Sequence, residues 1–339
     1  KKKKDLSPIW QAKNARSFCP AGTERSFPAE DFKEETMGIT IVKEYVPSSD
    51  GIHTLSGKAY IPEGNPIGLF HVVHGMTEHI ERYDFFMRKL AEDGYVCFGY
   101  DHLGHGKTAK NADELGFIAH KNGWNYLAKD VSVFAEAMKK KYGESLPYYL
   151  MGHSMGSFIS RLAAEKYIKP DKFIIMGTGG PNPAAGIGLF AIDVAKIFKG
   201  ERHISKTIDN LAFGTYNSHF KNENDPIAWL TKDKEQKKKY AADPYCTFKF
   251  TLSAMHDLVT LNKKANRAAW FKSIKMPVLL VSGADDPVGD YGKGVTKVYE
   301  KLKKAGCDVR IKLYENCRHE ILNDTCRDEV VRDIENFIA

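Results

Sequence analysis

Buried-strand patterns that alternate with helical patterns, on both sides of one long interruption, limit most strongly how this chain can fold. Continuous apolar runs predict buried strands over 67–74, 95–100, 146–151, 173–176, 277–282 and 309–314. Segments with helical spacing of apolar residues separate most of these runs. Apolar strands that alternate with helices are typical of a mostly parallel sheet covered by helices on both faces. The sequence therefore predicts an α/β fold.

The alternation stops over residues 181–275, which are richer in polar and aromatic residues and carry no convincing buried strand. We interpret this segment as a helical cap, or lid, inserted between two strands of one sheet. The core then consists of residues 39–180 and 276–339, and it begins with a hairpin around a turn-rich segment. The mixed composition of residues 1–38, with Pro20, Gly22 and Pro28, predicts an irregular N-terminal arm laid over the domain.

Charge and cysteine usage exclude several classes of protein. The formal net charge is +7, but Lys1–Lys4 supply four of these charges, which leaves too mild a balance to predict nucleic-acid binding. Six cysteines without a C-x-x-C spacing are too few for a disulfide scaffold and do not match a zinc motif. No secretory signal follows Lys1–Lys4, and the longest apolar stretch, residues 184–198, is too short to span a membrane. We expect a soluble, cytoplasmic protein in a reducing compartment.

The strongest local motif is Gly152-His153-Ser154-Met155-Gly156, which has the form G-x-S-x-G. It follows a predicted buried strand and opens a predicted helix, the context that a nucleophile elbow requires. The two glycines suit a tight turn in which neighbouring elements leave no room for a Cβ. Such a turn exposes the serine hydroxyl above the strand end, and the helix N-terminus stabilises developing negative charge. Ser154 is therefore the candidate nucleophile.

A serine hydroxyl needs a base to remove its proton, and histidine is the usual one. The histidines that follow Ser154 are His203, His219, His256 and His319. Only His319 follows a late predicted strand, in the loop before the last helix, whereas the other three lie in or near the insertion. We therefore assign His319 as the base.

The base in turn needs a carboxylate to hold its tautomer, and two adjacent aspartates follow the strand 277–282. Asp285 and Asp286 point in different directions, so only one of them can meet His319. Asp286 precedes Pro287, which favours an extended backbone, but the residues alone leave the choice open.

An oxyanion needs two main-chain N–H donors. One is expected from Met155, the residue after the nucleophile, and the other from the loop that follows an early strand. That loop is His74-Gly75-Met76-Thr77-Glu78-His79, which makes the N–H of Met76 the candidate, with Gly75 permitting the close approach.

Two competing patterns are weaker. His71, His74 and His79 suggest a metal site, but residues three apart on a strand point to opposite faces, so His71 and His74 cannot share an ion. Residues 104–108 imitate the end of a phosphate-binding loop, but Asp101 stands where the first glycine is required. We interpret this second segment as a buried polar turn that supports the loops of the site.

With these residues identified, the chain resembles the α/β-hydrolase superfamily, in particular its monoacylglycerol lipase and lysophospholipase branch, often described as serine aminopeptidase-like. The resemblance covers about residues 40–339. It rests on residues 74–79, 101–106, 152–156, 283–286 and His319. It implies an α/β-hydrolase fold with no cofactor and no metal. Matching the family's G-x-x-D pattern from Gly283 assigns the acid to Asp286.

From the motifs and the resemblance we expect a serine hydrolase that cleaves carboxylic esters through an acyl-enzyme. Ser154 attacks the carbonyl, His319 transfers the proton, Asp286 orients His319, and the N–H groups of Met76 and Met155 hold the oxyanion. The expected partner is a small-molecule lipid ester with a single chain, such as a lysophospholipid or a monoacylglycerol. We also expect transient contact of the cap with a membrane surface, and we leave the oligomeric state open.

Three alternatives remain at this stage. A small-ester carboxylesterase uses the same three side chains. So does a peptidase or amidase of the proline-aminopeptidase type, which needs an anionic site for a free amine, supplied by Glu78 or by acids of the cap. A hydrolase fold reused as a non-enzymatic binding module is disfavoured by the complete set of Ser154, Asp286 and His319.

Overall fold

A single mixed sheet forms the centre of the fold in the computed structural model, which describes residues 33–36 and 38–339. Its nine strands within these residues are β1 Lys33–Thr36, β2 Ile39–Pro47, β3 Thr54–Pro62, β4 Gly68–Val73, β5 Tyr95–Tyr100, β6 Tyr148–His153, β7 Lys172–Met176, β8 Val278–Gly283 and β9 Val309–Tyr314. Their order in the sheet is β1-β2-β3-β5-β4-β6-β7-β8-β9. The strands from β5 through β9 in this order pair in parallel, and the three pairs before them are antiparallel. The expected mostly parallel α/β sheet is confirmed.

Helices cover both faces of this sheet. The α-helices of the described chain are α1 Asp84–Glu92, α2 Gly123–Tyr142, α3 Met155–Lys166, α4 Ala185–Lys199, α5 Lys206–Phe213, α6 Lys234–Ala242, α7 Leu252–Ala265, α8 Ala268–Ser273, α9 Lys293–Lys304 and α10 Arg327–Ile338. One buried cluster joins the sheet to α2, α3 and α9, and a second joins it to α1 and α10. The doubly covered sheet explains why the predicted strands were continuous apolar runs rather than alternating ones.

Strand β4 illustrates how the sequence builds this core. All six of its residues are buried. Leu69 and Val73 belong to the cluster with α2 and α3, whereas Phe70 and Val72 belong to the cluster with α1 and α10. Successive side chains of a strand point to opposite faces, and each large apolar side chain buried here contributes about 1.5–3 kcal/mol. The strand is thereby held between two layers of helices, and its end lies at the candidate site.

The edge of the sheet differs from the sequence prediction. Residues 33–36, expected to be part of an irregular arm, form β1 and pair antiparallel with β2. Their sequence, Lys-Glu-Glu-Thr, has no apolar run, and an edge strand needs none because main-chain hydrogen bonds on one side hold it. The expectation of an irregular arm is wrong for these four residues. Residues 1–32 and 37 of that arm lie outside the described residues.

The segment between β7 and β8 contains helices α4 to α8, and residues 177–277, all of them described, contain no strand. Its later helices pack into the core cluster of α2 and α3. Trp270 of α8 is fully buried, its indole N–H donates to the carbonyl of Arg161 at 2.6 Å, and its ring lies 4.1 Å from the Arg161 guanidinium. The end of the insertion is thus continuous with the core.

Helix α4 shows the opposite behaviour, because it presents large apolar side chains to solvent. Ile187, Phe190, Ile197 and Phe198 are 70–83% exposed. Among the described residues, no helix has the length and apolar character needed to cross a lipid bilayer.

Candidate active site

Ser154 stands at the turn between β6 and α3. Its backbone has φ 53° and ψ −121°, a region that non-glycine residues rarely occupy and that costs about 1–3 kcal/mol. The turn is held on both sides: the Ser154 N–H donates to the carbonyl of Met176 at 3.0 Å, and the Ser154 carbonyl accepts from the Ser157 hydroxyl at 2.6 Å. The strained conformation aims the Ser154 side chain away from the strand, as an elbow requires.

The two glycines of the motif lie where no side chain fits. A Cβ on Gly152 would lie 2.4 Å from the carbonyl oxygen of Gly156. A Cβ on Gly156 would lie 2.1 Å from the carbonyl oxygen of Val73, at the end of β4. Real Cβ atoms do not approach main-chain oxygens so closely, and these contacts join α3 to the neighbouring strand. The glycine spacing therefore follows from packing as well as from the turn.

His319 and Asp286 are hydrogen-bonded in the interior. Nδ1 of His319 lies 3.0 Å from Oδ2 of Asp286, and both side chains are buried. A carboxylate only accepts, so Nδ1 carries the hydrogen, and in the neutral form of the ring Nε2 is then the acceptor. Asp286 also accepts from the Val288 N–H at 2.8 Å and from the Ser282 hydroxyl at 3.2 Å, which fix its orientation.

The neighbouring aspartate takes no part in this pair. Asp285 is partly exposed, and its carboxylate lies 3.4 Å from the ammonium of Lys232. The two adjacent side chains therefore face opposite environments, and the structure brings Asp286 rather than Asp285 to His319.

His153 connects the elbow to the loop of His319. Its Nε2 lies 3.2 Å from the His319 carbonyl oxygen, and its Nδ1 lies 3.1 Å from Oε1 of Glu78. Burial opposes the charged form, but the hydrogen bond to Glu78 prevails and raises the pKa of His153. Both nitrogens face oxygen acceptors, an arrangement that favours the doubly protonated ring, in line with the raised pKa. It orders the chain on both sides of the candidate nucleophile and base.

The loop 74–79 lies on the other side of Ser154. A Cβ on Gly75 would lie only 3.0 Å from the Cβ of Ser154. The Gly75 N–H is already bound to Glu78, whereas the N–H groups of Met76 and Met155 have no acceptor among the described residues. The two candidate N–H donors therefore lie on the two segments that meet at Ser154.

A buried ion network supports this loop, and sequence reasoning did not find it. Arg82 donates to Oε2 of Glu78 at 3.0 Å and to both carboxylate oxygens of Glu320 at 2.7 and 2.6 Å. Burial raises the pKa of Glu78, but the bond and charge of His153, with the charge of Arg82, hold it well below its usual range. Glu78 is therefore already bound by Arg82 and His153 and is not a free anionic site.

The three early histidines do not converge on one another. His71 faces the Tyr148 hydroxyl at 2.9 Å, His74 faces the Gly75 carbonyl at 2.8 Å, and His79 faces a carboxylate of the insertion. Burial lowers the pKa of His71 and of His74 to about 3, so both are neutral packing groups.

The segment 104–108 belongs to a polar turn beneath the same loop. Asp101 accepts from the N–H of Ile80 at 2.9 Å and from the N–H of Lys107 at 2.7 Å. A Cβ on Gly106 would lie 2.2 Å from the Asp101 carboxylate. These bonds join the end of β5 to the loop after β4. The main-chain N–H groups that would have to bind a phosphate are therefore already bound to Asp101.

Two further features of the site carry no clear sequence signal. The ring of Trp229, from the insertion, lies 5.2 Å from the His319 ring. Cys317 and Cys326 form a disulfide that encloses the loop of His319, with Cα atoms 6.6 Å apart. Neither their spacing nor the expected reducing compartment, where disulfides are rare, predicted this pair, and the tight turn at residues 321–323 lies within the loop that it closes.

The doubly covered sheet, the serine elbow after β6, the aspartate after β8 and the histidine after β9 together define an α/β-hydrolase. The chain belongs to the family described as "Serine aminopeptidase, S33", which matches residues 64–326. The resemblance inferred from the motifs is thereby confirmed.

Similar proteins agree with this assignment. The chain is 26% identical to the monoglyceride lipase of Homo sapiens over 304 residues, 88% of this chain and 87% of that protein. It is 26% identical to the monoacylglycerol lipase of Mycolicibacterium smegmatis over 290 residues, 83% of this chain and 91% of that protein. The solved structure of a thermostable carboxyl esterase from Bacillus coagulans, in complex with glycerol, superposes with a TM-score of 0.82 at 30% identity, covering 89% of this chain and 98% of that one.

Proposed function

We propose that the chain is a serine hydrolase that cleaves carboxylic esters through an acyl-enzyme intermediate. The observation that carries the proposal is the buried 3.0 Å hydrogen bond between His319 and Asp286, next to the strained turn at Ser154. It leaves Nε2 of His319 as the base that a serine nucleophile needs. The family and the names of the similar lipases and esterases support the same reaction.

In the first half of the reaction, Oγ of Ser154 attacks the ester carbonyl carbon while Nε2 of His319 removes the hydroxyl proton. The resulting oxyanion accepts hydrogen bonds from the N–H groups of Met76 and Met155. The bond from carbon to the alcohol oxygen then breaks, and His319 returns the proton to the departing alcohol. Asp286 stabilises the imidazolium throughout.

In the second half, His319 deprotonates a water molecule that attacks the acyl group on Ser154. The same oxyanion donors stabilise the second tetrahedral intermediate. Collapse of this intermediate breaks the bond to Oγ of Ser154, releases the carboxylic acid and returns the proton to the serine. The cycle uses no cofactor.

Replacing the nucleophile tests this assignment directly. The Ser154→Ala protein is expected to lose ester hydrolysis and labelling by a fluorophosphonate probe, while Ser218→Ala, at an exposed serine, retains both. Full esterase activity in Ser154→Ala would overturn the mechanism. Absence of labelling in folded wild-type protein would favour a binding module instead.

For the substrate, we propose single-chain lipid esters such as monoacylglycerols or lysophospholipids. Two proteins similar over more than four fifths of this chain are named monoglyceride or monoacylglycerol lipases. The structural likeness to a carboxyl esterase makes small esters the second candidate. A series of p-nitrophenyl esters of increasing chain length, with a monoacylglycerol and lysophosphatidylcholine, separates the two. Highest activity on the shortest esters and none on either lipid would favour the small-ester reading.

We propose that residues 181–275 act as a cap that forms one wall of the substrate pocket. Trp229 supports this, because its ring lies against His319, and the carbonyl of Leu230 accepts the Glu320 N–H at 2.8 Å. The insertion thus contacts the chain at the base itself and at the residue that follows it, which is where a wall of the substrate pocket is needed.

We further propose that α4 contacts lipid surfaces transiently. Its exposed side chains Ile187, Phe190, Ile197 and Phe198 form an apolar surface of the kind that interfacial helices bury. In flotation with phosphatidylcholine vesicles, the double variant Phe190→Ser/Phe198→Ser is expected to bind less than wild type. Ile52→Ser, at an exposed apolar residue on the hairpin, is the matched control. Equal flotation of all three proteins would contradict this contact.

The peptidase or amidase alternative draws support from the family description. It is disfavoured because Glu78, the acid within the loop 74–79, is already bound by Arg82 and His153. Comparing a monoacylglycerol with a proline amide decides between them, and a clear preference for the amide would reverse our ranking.

A further inference from the structure

The loop 74–79 meets the insertion at a cluster of three different donor groups. A ring nitrogen of His79, a carboxylate oxygen of Asp243 and Sγ of Cys246 all lie within 4.8 Å of one another. Nε2 of His79 and Oδ2 of Asp243 are 2.9 Å apart. As a possible metal ligand, His79 was grouped with His71 and His74 in the sequence. In the structure its neighbours instead come from a segment more than 160 positions away.

We propose that His79, Asp243 and Cys246 form a binding site for a divalent ion of the Zn²⁺ type. Imidazole, carboxylate and thiolate are the three ligand classes of protein zinc sites, with bonds of about 2.0–2.3 Å. Donor atoms spread over no more than 4.8 Å can reach one ion at such bond lengths with small side-chain adjustments. Ca²⁺ and Mg²⁺ prefer oxygen ligands alone, so a sulfur and a nitrogen argue against them.

The local chain holds two of the donors in advance. Oδ1 of Asp243 accepts the Tyr245 N–H at 2.8 Å, which leaves Oδ2 directed at His79. The Cys246 N–H donates to the Asp243 carbonyl at 3.0 Å, closing the same turn. Hydrogen bonds of this kind orient ligands before an ion arrives and increase its affinity.

Access and charge also suit an ion. His79 and Cys246 are buried, whereas the Asp243 side chain is 29% exposed and provides the way in from solvent. The guanidinium of Arg82 lies near this cluster and is held in direct ion pairs by Glu78 and Glu320.

A bound ion would fasten the cap to the loop that carries Met76. A second contact already links these segments, because the Tyr240 hydroxyl lies 3.0 Å from that of Thr77. The ion would therefore stiffen the candidate oxyanion loop. This consequence for activity rests on the proposed function, whereas the binding itself does not.

The test is titration of the full, untagged chain with Co²⁺, which substitutes for Zn²⁺ and absorbs light characteristically when a thiolate binds it. We expect one Co²⁺ per chain, a sulfur-to-cobalt charge-transfer band, and displacement by Zn²⁺. Cys246→Ser should lose the band, and Asp243→Asn should weaken binding by about tenfold or more. Cys307→Ser, at another free cysteine of the described chain, is the matched control and should keep the band.

The proposal is overturned if folded wild-type protein gives no sulfur-to-cobalt band, or if Cys246→Ser binds Co²⁺ as tightly as wild type. Circular dichroism establishes that each variant is folded. Because the readout is spectroscopic, its failure leaves the hydrolase proposal intact, and an inactive protein would still report on the metal site.

Discussion

Gly75 lies so close to Ser154 that a Cβ on the glycine would come within 3.0 Å of the serine Cβ and 2.6 Å of Oε1 of Glu78. The loop after β4 and the elbow after β6 therefore approach each other through a residue with no side chain. Any side chain at this position must displace the loop, and with it the N–H of Met76.

Gly75→Ala is expected to lower kcat by about a hundredfold to a thousandfold, the usual cost of losing one oxyanion donor. Steady-state kinetics on an ester substrate measure the effect. Gly186→Ala is the control, since a Cβ there meets nothing within 4 Å. Unchanged kcat in Gly75→Ala would show that the Met76 N–H does not hold the oxyanion.

Asp286→Asn is expected to lower kcat by about 10⁴, because an amide N–H facing Nδ1 favours the wrong tautomer of His319. Asp285→Asn changes the neighbouring residue, which faces Lys232, and should leave kcat nearly unchanged. Kinetics of the two variants under identical conditions decide the assignment. A larger loss in Asp285→Asn would transfer the role to that residue.

Arg82→Met is expected to destabilise the fold by about 3–5 kcal/mol, because Glu78 and Glu320 would stay buried without their partner. Lys89→Met removes an exposed ion pair on α1 and should change stability little. Urea unfolding followed by circular dichroism gives both values. Similar losses in the two variants would mean that the network is not specifically stabilising.

Stability is expected to fall as the pH drops from about 6.5 towards 3, through His71 and His74. Burial lowers the folded-state pKa of each from 6.5 to about 3, so only the unfolded chain takes up a proton in this window. Each histidine then costs about 1.4 kcal/mol per pH unit. His71→Gln should reduce the slope of the unfolding free energy against pH by the contribution of one proton, about 1.4 kcal/mol per pH unit. An unchanged slope would contradict the neutral assignment of His71.

Sequence patterns predicted the centre of the fold well, because buried parallel strands are local and apolar. The predicted bounds of β5 and β9 coincide with those observed, since turn residues flank both runs. Strand β1 was missed because main-chain pairing at a sheet edge leaves no periodic signal. The short motif around Ser154 could be recognised for a similar reason, because a single turn fixes the spacing of adjacent residues.

The pairing of distant side chains was beyond sequence reasoning. Asp285 and Asp286 differ only in which way each faces, and packing of the loop against β9 decides that. The contact between Arg82 and Glu320 spans 238 positions, and neither residue belongs to a recognisable motif. Trp229 reaches His319 only because the insertion folds back over the sheet. Each of these depends on tertiary geometry that a linear pattern does not record.

The neighbouring strands β7 and β8 have a consequence for biosynthesis. They pair directly, with Ile175 opposite Leu280, yet the entire insertion separates them along the chain. Such long-range pairing is slow, because closing a long loop costs entropy before the contact is made. During synthesis on the ribosome, Ser154 is also made well before Asp286 and His319. Until residues 276–339 emerge, Ser154 has neither its base nor its acid, and the onset of activity would report completion of the sheet.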